Sequence, residues 1–114
     1  MDKAASKVTS LFLQSKQAME FTSIAPIITP EKPLNARELA RALRLAISAE
    51  EDAVSLYELM ADSTDDSDAK RVLTSIGNEE KVHISELTAI LNKISPDEAK
   101  FKEDGEKEVK EETK

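Results

Sequence analysis

The strongest pattern in the chain lies between residues 34 and 94, where apolar side chains return every three or four positions. The first stripe runs Leu43, Ile47, Glu50, Val54, Tyr57 and Ala61; the second runs Ala69, Leu73, Ile76, Glu80, His83, Leu87, Ile90 and Ile94. A period near 3.6 puts each set on one helical face, the face a helix buries against its neighbours. The boundary residues agree. Asn35 followed by Glu38 makes a capping pair, with Pro33 just outside it. Ser63-Thr64-Asp65-Asp66-Ser67 contains only turn and cap formers, whose side chains compete with the backbone for hydrogen bonds. The pattern predicts one helix ending near Asp62, a short turn, and a second helix from about Asp66 to Ile94. Ser95-Pro96-Asp97-Glu98 repeats the start signal, so a short third helix is expected, with little apolar support past Phe101.

Outside this stretch the rhythm fails. Residues 1–33 carry a brief amphipathic run (Val8, Leu11, Phe12, Met19) and then Ser23 to Pro30, whose β-branched residues and two prolines predict an extended segment. That segment is a candidate for docking to a partner groove, or a linker packed on its own bundle. The expected organisation is therefore an N-terminal extension over 1–33, a helical hairpin over 34–96, and a short helix with a charged, disordered tail over 97–114. Composition fixes the class as all-α: 34% of the 114 residues are charged, 4% are aromatic, and glycine and proline are scarce. The net charge of −7, with no basic stripe, argues against nucleic acid. The lack of cysteine removes disulfides, thiolate metal sites and thiol catalysis. No apolar run approaches the ~20 residues that span a bilayer, so no membrane partner is expected and a cytoplasmic location is.

Three stripe positions are ionisable: Glu50, Glu80 and His83. A carboxylate in a buried seam needs a cationic partner or water, and neither stripe holds a Lys or Arg. A metal cation supplies the missing charge. Two helices joined by a short turn run antiparallel, and Glu50 and Glu80 each lie twelve residues from the turn's ends, about 18 Å at ~1.5 Å per residue. They are expected at one height. Glu80 and His83 have the Glu-x-x-His spacing of di-iron and di-manganese helical bundles.

At these residues the sequence resembles the encapsulated ferritins, half-length relatives of ferritin, and especially the ferritin-like segment of archaeal encapsulin systems. The similar stretch is about 34–96, including Leu43-Arg44-Leu45-Ala46-Ile47, Ala49-Glu50, Leu56-Tyr57-Glu58 and Glu79-Glu80-Lys81-Val82-His83. The resemblance implies that Glu50, Glu80 and His83 are iron ligands of a ferroxidase centre, with Tyr57 beside it as a candidate catalytic residue. It also implies two-helix subunits that form homodimers and then rings such as a decamer, with the di-iron centre between two chains. Iron would be oxidised by O₂ or peroxide and stored within an encapsulin shell, a nanocompartment in the cytoplasm. Family members line the metal's approach with further carboxylates; one such position is Ala49 here, and Asp52 fits another.

Ligand counting leads to a dimer independently. A full di-iron carboxylate site takes a Glu from each of two helices and a Glu-x-x-His from each of two others, and this chain owns half of that set. A two-fold dimer would complete the ligands and cover the seams. Against the enzyme stands a structural adaptor, a dimerisation module whose seam glutamates only set register. Manganese chemistry on the same ligands is a further alternative. Tyr57 follows Glu50 by one heptad, about 10 Å along the axis, which also suits simple packing. Glu58 and Glu79, rotated by about 100° from the stripes, read as solvated. The Asp62–Asp68 cluster lacks the glycine and terminal glutamate of a calcium loop and reads as capping. Gly77 either permits close helix approach or costs its helix about 1 kcal/mol.

Overall fold

The computed structural model describes Ile28 and residues 31–114. The chain divides into two units, Met1–Asn35 and Ala36–Lys114. The amphipathic run over 8–19 and, apart from the exposed Ile28, the segment over 23–30 lie outside the described residues. The second unit consists of three helices: α1 (Ala36–Asp62), α2 (Ser67–Ile94) and α3 (Asp97–Glu112). α1 and α2, 27 and 28 residues long, pack along each other as an antiparallel hairpin. Among the described residues, no helix is long and apolar enough to cross a membrane.

The turn between them is built by the cap formers. Ser63 closes α1, its backbone N–H donating to the Met60 carbonyl at 3.1 Å and its hydroxyl donating to the Leu59 carbonyl at 2.6 Å. The Asp66 N–H then donates to Thr64 Oγ1 at 3.2 Å. Asp66, in extended conformation, opens α2 by accepting from the Ala69 N–H at 3.0 Å. That bond satisfies one of the donors a helix start leaves unpaired. Asp66→Ala is expected to destabilise the hairpin by about 1 kcal/mol, read as a lowered melting temperature with the far-ultraviolet spectrum unchanged below the transition. An unshifted melt would mean that the cap contributes nothing.

Few residues are buried in this hairpin: Ala40, Val54 and Ala61 from α1, Gly77 and Leu91 from α2. Two helices cannot enclose a large core between them, and the remaining apolar groups show it. Leu56 and Met60 on α1, and Val72 and Ile90 on α2, are exposed. Val72, His83 and Ile90 are spaced by eleven and seven residues and therefore share one stripe of α2. Lys81 lies off this stripe and forms an ion pair with Glu58 of α1 at 3.2 Å.

α3 corrects one expectation. The short third helix is present, but it continues through the segment read as a disordered tail and ends at Glu112. The sequence favours this locally: Glu98 and Lys102, Glu103 and Lys107, and Glu106 and Lys110 have acid-to-base spacing at i,i+4. Each pair of that orientation adds about 0.2–0.5 kcal/mol to a helix, and Asp97 and Glu98 suit its N-terminal dipole. Pro96 is already in helical conformation, and the Glu98 N–H donates to the Ser95 carbonyl at 3.0 Å. Arg44 of α1 forms an ion pair with Glu98, tying the start of α3 to the hairpin. From Ala99 onward every residue is exposed.

Candidate metal centre

Glu50 projects from the middle of α1, and Glu80 and His83 from the middle of α2. The hairpin brings all three together, one ligand atom from each lying within 4.8 Å of the others. The antiparallel register is what does this, since the two carboxylates are thirty residues apart in sequence. His83 Nδ1 lies 3.3 Å from Glu80 Oε2 and 3.6 Å from Glu50 Oε2, so one ring nitrogen faces both carboxylates. The contact within Glu80-Lys81-Val82-His83 follows from the three-residue spacing, which stacks side chains one above the other on a helix.

Burial is graded across the cluster. Side-chain exposure is 18% for Glu80, 29% for Glu50 and 51% for His83. Glu50 Oε2 is buried and has no hydrogen-bond partner. A carboxylate oxygen removed from water without a donor is unfavourable by several kcal/mol when ionised, because nothing replaces its hydration. Among the described residues no lysine or arginine is paired with Glu50 or Glu80; Lys81, next in sequence, is directed to Glu58. The atoms offered are two hard carboxylate oxygens and one imidazole nitrogen, a donor set that fits iron, manganese or zinc. Its geometry meets the needs of a divalent cation: an orphaned oxygen, close donors and an open side at His83.

The other sequence candidates fall as follows. Tyr57 sits on the same face of α1 two turns from Glu50, half-buried, with its Cβ beside Gly77. Glu79 is exposed. Glu58, also exposed, has a partner the stripe analysis missed: it pairs with Lys81 across the hairpin. The signal available for that pair was adjacency, since Glu58 follows Tyr57 and Lys81 follows Glu80. Gly77 is buried on the face of α2 turned to α1, where an added methyl group would meet Tyr57 Cβ at 3.5 Å.

Comparison with known proteins gives a consistent picture. The Rubrerythrin family profile matches residues 34–114. A ferritin-like-encapsulin shell fusion protein of Pyrococcus furiosus is 41% identical over 90 residues, covering 78% of this chain and 26% of the relative. The encapsulin nanocompartment cargo protein EncC of Myxococcus xanthus is 36% identical over 83 residues, covering 73% of this chain and 60% of that protein. The chain thus spans about a quarter of the first relative and three fifths of the second. The crystal structure of the encapsulated ferritin domain from Pyrococcus furiosus superposes with a TM-score of 0.70 at 39% identity, covering 76% of this chain and 89% of that one. With most of its length matched by one family profile and its fold by a 39% identical structure, the chain belongs to the rubrerythrin family, as a ferritin-like domain related to encapsulated ferritin and encapsulin cargo proteins.

Proposed function

We propose that this chain oxidises Fe(II) to Fe(III) at a di-iron centre shared by two copies, and that the product iron is stored inside an encapsulin shell. The observation that carries the reading is the buried Glu50 Oε2, which has no hydrogen-bond partner, next to Glu80 and His83. A divalent ion at that point returns the interaction the oxygen lost on burial. When bound, paired ferrous ions each supply one electron to dioxygen or peroxide, and the carboxylates, as hard donors, favour the ferric product.

The residues divide the work by helix. Glu50 binds from α1, while Glu80 and His83 bind from α2 as one rigid i,i+3 unit. Hairpin and turn hold the two sets at one height. One chain brings two carboxylates and one imidazole, half of the set a di-iron bundle uses, so a second copy related by a two-fold axis completes it. The exposed Val72 and Ile90, on one stripe of α2 with His83, support that arrangement: they put apolar surface in line with a half-exposed ligand. Tyr57 is a candidate for a redox or positioning role beside the centre. The shell partner rests on the relatives, one fused to an encapsulin shell and one an encapsulin cargo protein.

Anaerobic Fe(II) titration followed by air tests the reading. The expected stoichiometry is one iron per chain, bound before oxygen is admitted, with ferric absorbance then appearing far faster than in protein-free buffer. Oxidation at the buffer rate would leave a structural adaptor as the better description.

A further inference from the structure

Because Glu50 is carried by α1 and the Glu80-His83 pair by α2, the width of the site is the separation of the helices at that height. One contact on the same seam bears on that separation. Gly77 is buried in α2, and a methyl group added to it would meet Tyr57 Cβ of α1 at 3.5 Å. That distance is ordinary van der Waals contact. A one-carbon side chain therefore fits at position 77, and a longer one must displace Tyr57 or α1. From this contact, seven residues back along α1 reach Glu50 and six forward along α2 reach His83, about 10 Å in each direction. Glu80 is nearer, three residues from Gly77, so all three side chains lie within two turns of this close approach along one interface. Helices are stiff over two turns, so a change in their spacing at Gly77 is transmitted to the ligands. A glycine here costs α2 about 1 kcal/mol of helix propensity relative to alanine.

We infer that Gly77 and Tyr57 form the spacer contact that fixes how far Glu50 stands from Glu80 and His83, which makes both of them positioning residues for the metal centre. The inference rests on the reading that those three side chains hold a divalent cation. It is distinct from any role of the Tyr57 hydroxyl in oxidation, because it concerns the Cβ and the backbone it touches.

The test is a titration of the full chain with Zn(II) against a competing chelator, with helix content and melting recorded for each variant. Gly77→Ala is expected to bind within about twofold of the original chain and to melt at a higher temperature, since the added methyl fits and α2 gains propensity. Gly77→Leu keeps all three ligands and is expected to bind at least tenfold more weakly. Gly77→Val, one carbon smaller, carries the same comparison should the leucine variant lose its helices. Adding Tyr57→Gly to Gly77→Leu inverts the large and small partners and is expected to recover most of the affinity, which a merely destabilising role would not allow. Original affinity in the leucine and valine variants, or no recovery in the double variant, overturns the spacer role. Absence of Zn(II) binding by the unaltered chain overturns the metal reading itself and is seen before any variant is made.

Discussion

Replacing His83 by alanine is expected to slow Fe(II) oxidation by at least about 100-fold while leaving the helices and the melting temperature of the metal-free protein nearly unchanged. The two halves of that expectation have separate causes. His83 is 51% exposed on the outer edge of the interface, so truncating it opens no cavity in the buried seam. Exposed substitutions of this kind commonly alter stability by no more than about 0.5 kcal/mol. The centre, by contrast, loses its only nitrogen donor. Removing a group that merely supports a metal ligand costs about 10–100-fold in affinity or activity, and deleting the ligand itself costs no less. Glu79→Ala is the matched control: an exposed residue one turn from His83, expected to oxidise iron within about twofold of the original rate. Oxygen uptake and ferric absorbance, read beside circular dichroism, decide the matter. An alanine variant at full rate would remove His83 from the site, and with it the significance of the Glu-x-x-His spacing.

The hairpin was legible because both of its long helices advertise themselves twice, by a stripe and by end signals. α1 stops at Asp62, where the stripe ends, and α2 begins at Ser67 with Asp66 as the capping side chain. Glu50, Glu80 and His83 were legible for a related reason: they are charges placed where the period demands apolar groups. What escaped the pattern has no stripe. Most of α3 has only acid-to-base spacing at i,i+4 in its favour, within a composition that looks like a tail, so its reach to Glu112 is suggested only when spacing within the charges is counted. Glu58 and Lys81 each sit about 100° from the seam. Long side chains on antiparallel neighbours bridge that gap, which a helix taken singly does not reveal. The place of Gly77 depends on which residue of α1 lies opposite, and that follows from the register of two packed helices.

Metal binding and association of the proposed dimer are expected to be coupled, and this is the largest effect predicted for the chain. In a two-fold pair that shares the centre, two copies of Glu50 and two of Glu80 converge near the axis. At an effective dielectric of about 20, unit charges 4 Å apart repel by about 4 kcal/mol, so the metal-free pair is weakened. Two divalent ions held by Glu50, Glu80 and His83 of both chains would cancel that charge. A ligand that binds only the assembled state at 100 times its dissociation constant stabilises that state by about 2.7 kcal/mol per site, a factor of roughly 100. Adding Zn(II), or Fe(II) without air, to dilute metal-free protein should therefore tighten association at least about 100-fold, as read by sedimentation or native mass spectrometry. Glu50→Ala should abolish this response. The same variant should associate better than the original chain when no metal is present, because it removes one carboxylate per chain from the axis and leaves an alanine in an apolar seam. That reversal separates the shared centre from a simple packing defect, which would weaken the variant with and without metal. Association that ignores divalent ions, at concentrations where the single chain is detectable, would confine the cluster to one chain and return Glu50, Glu80 and His83 to a structural role.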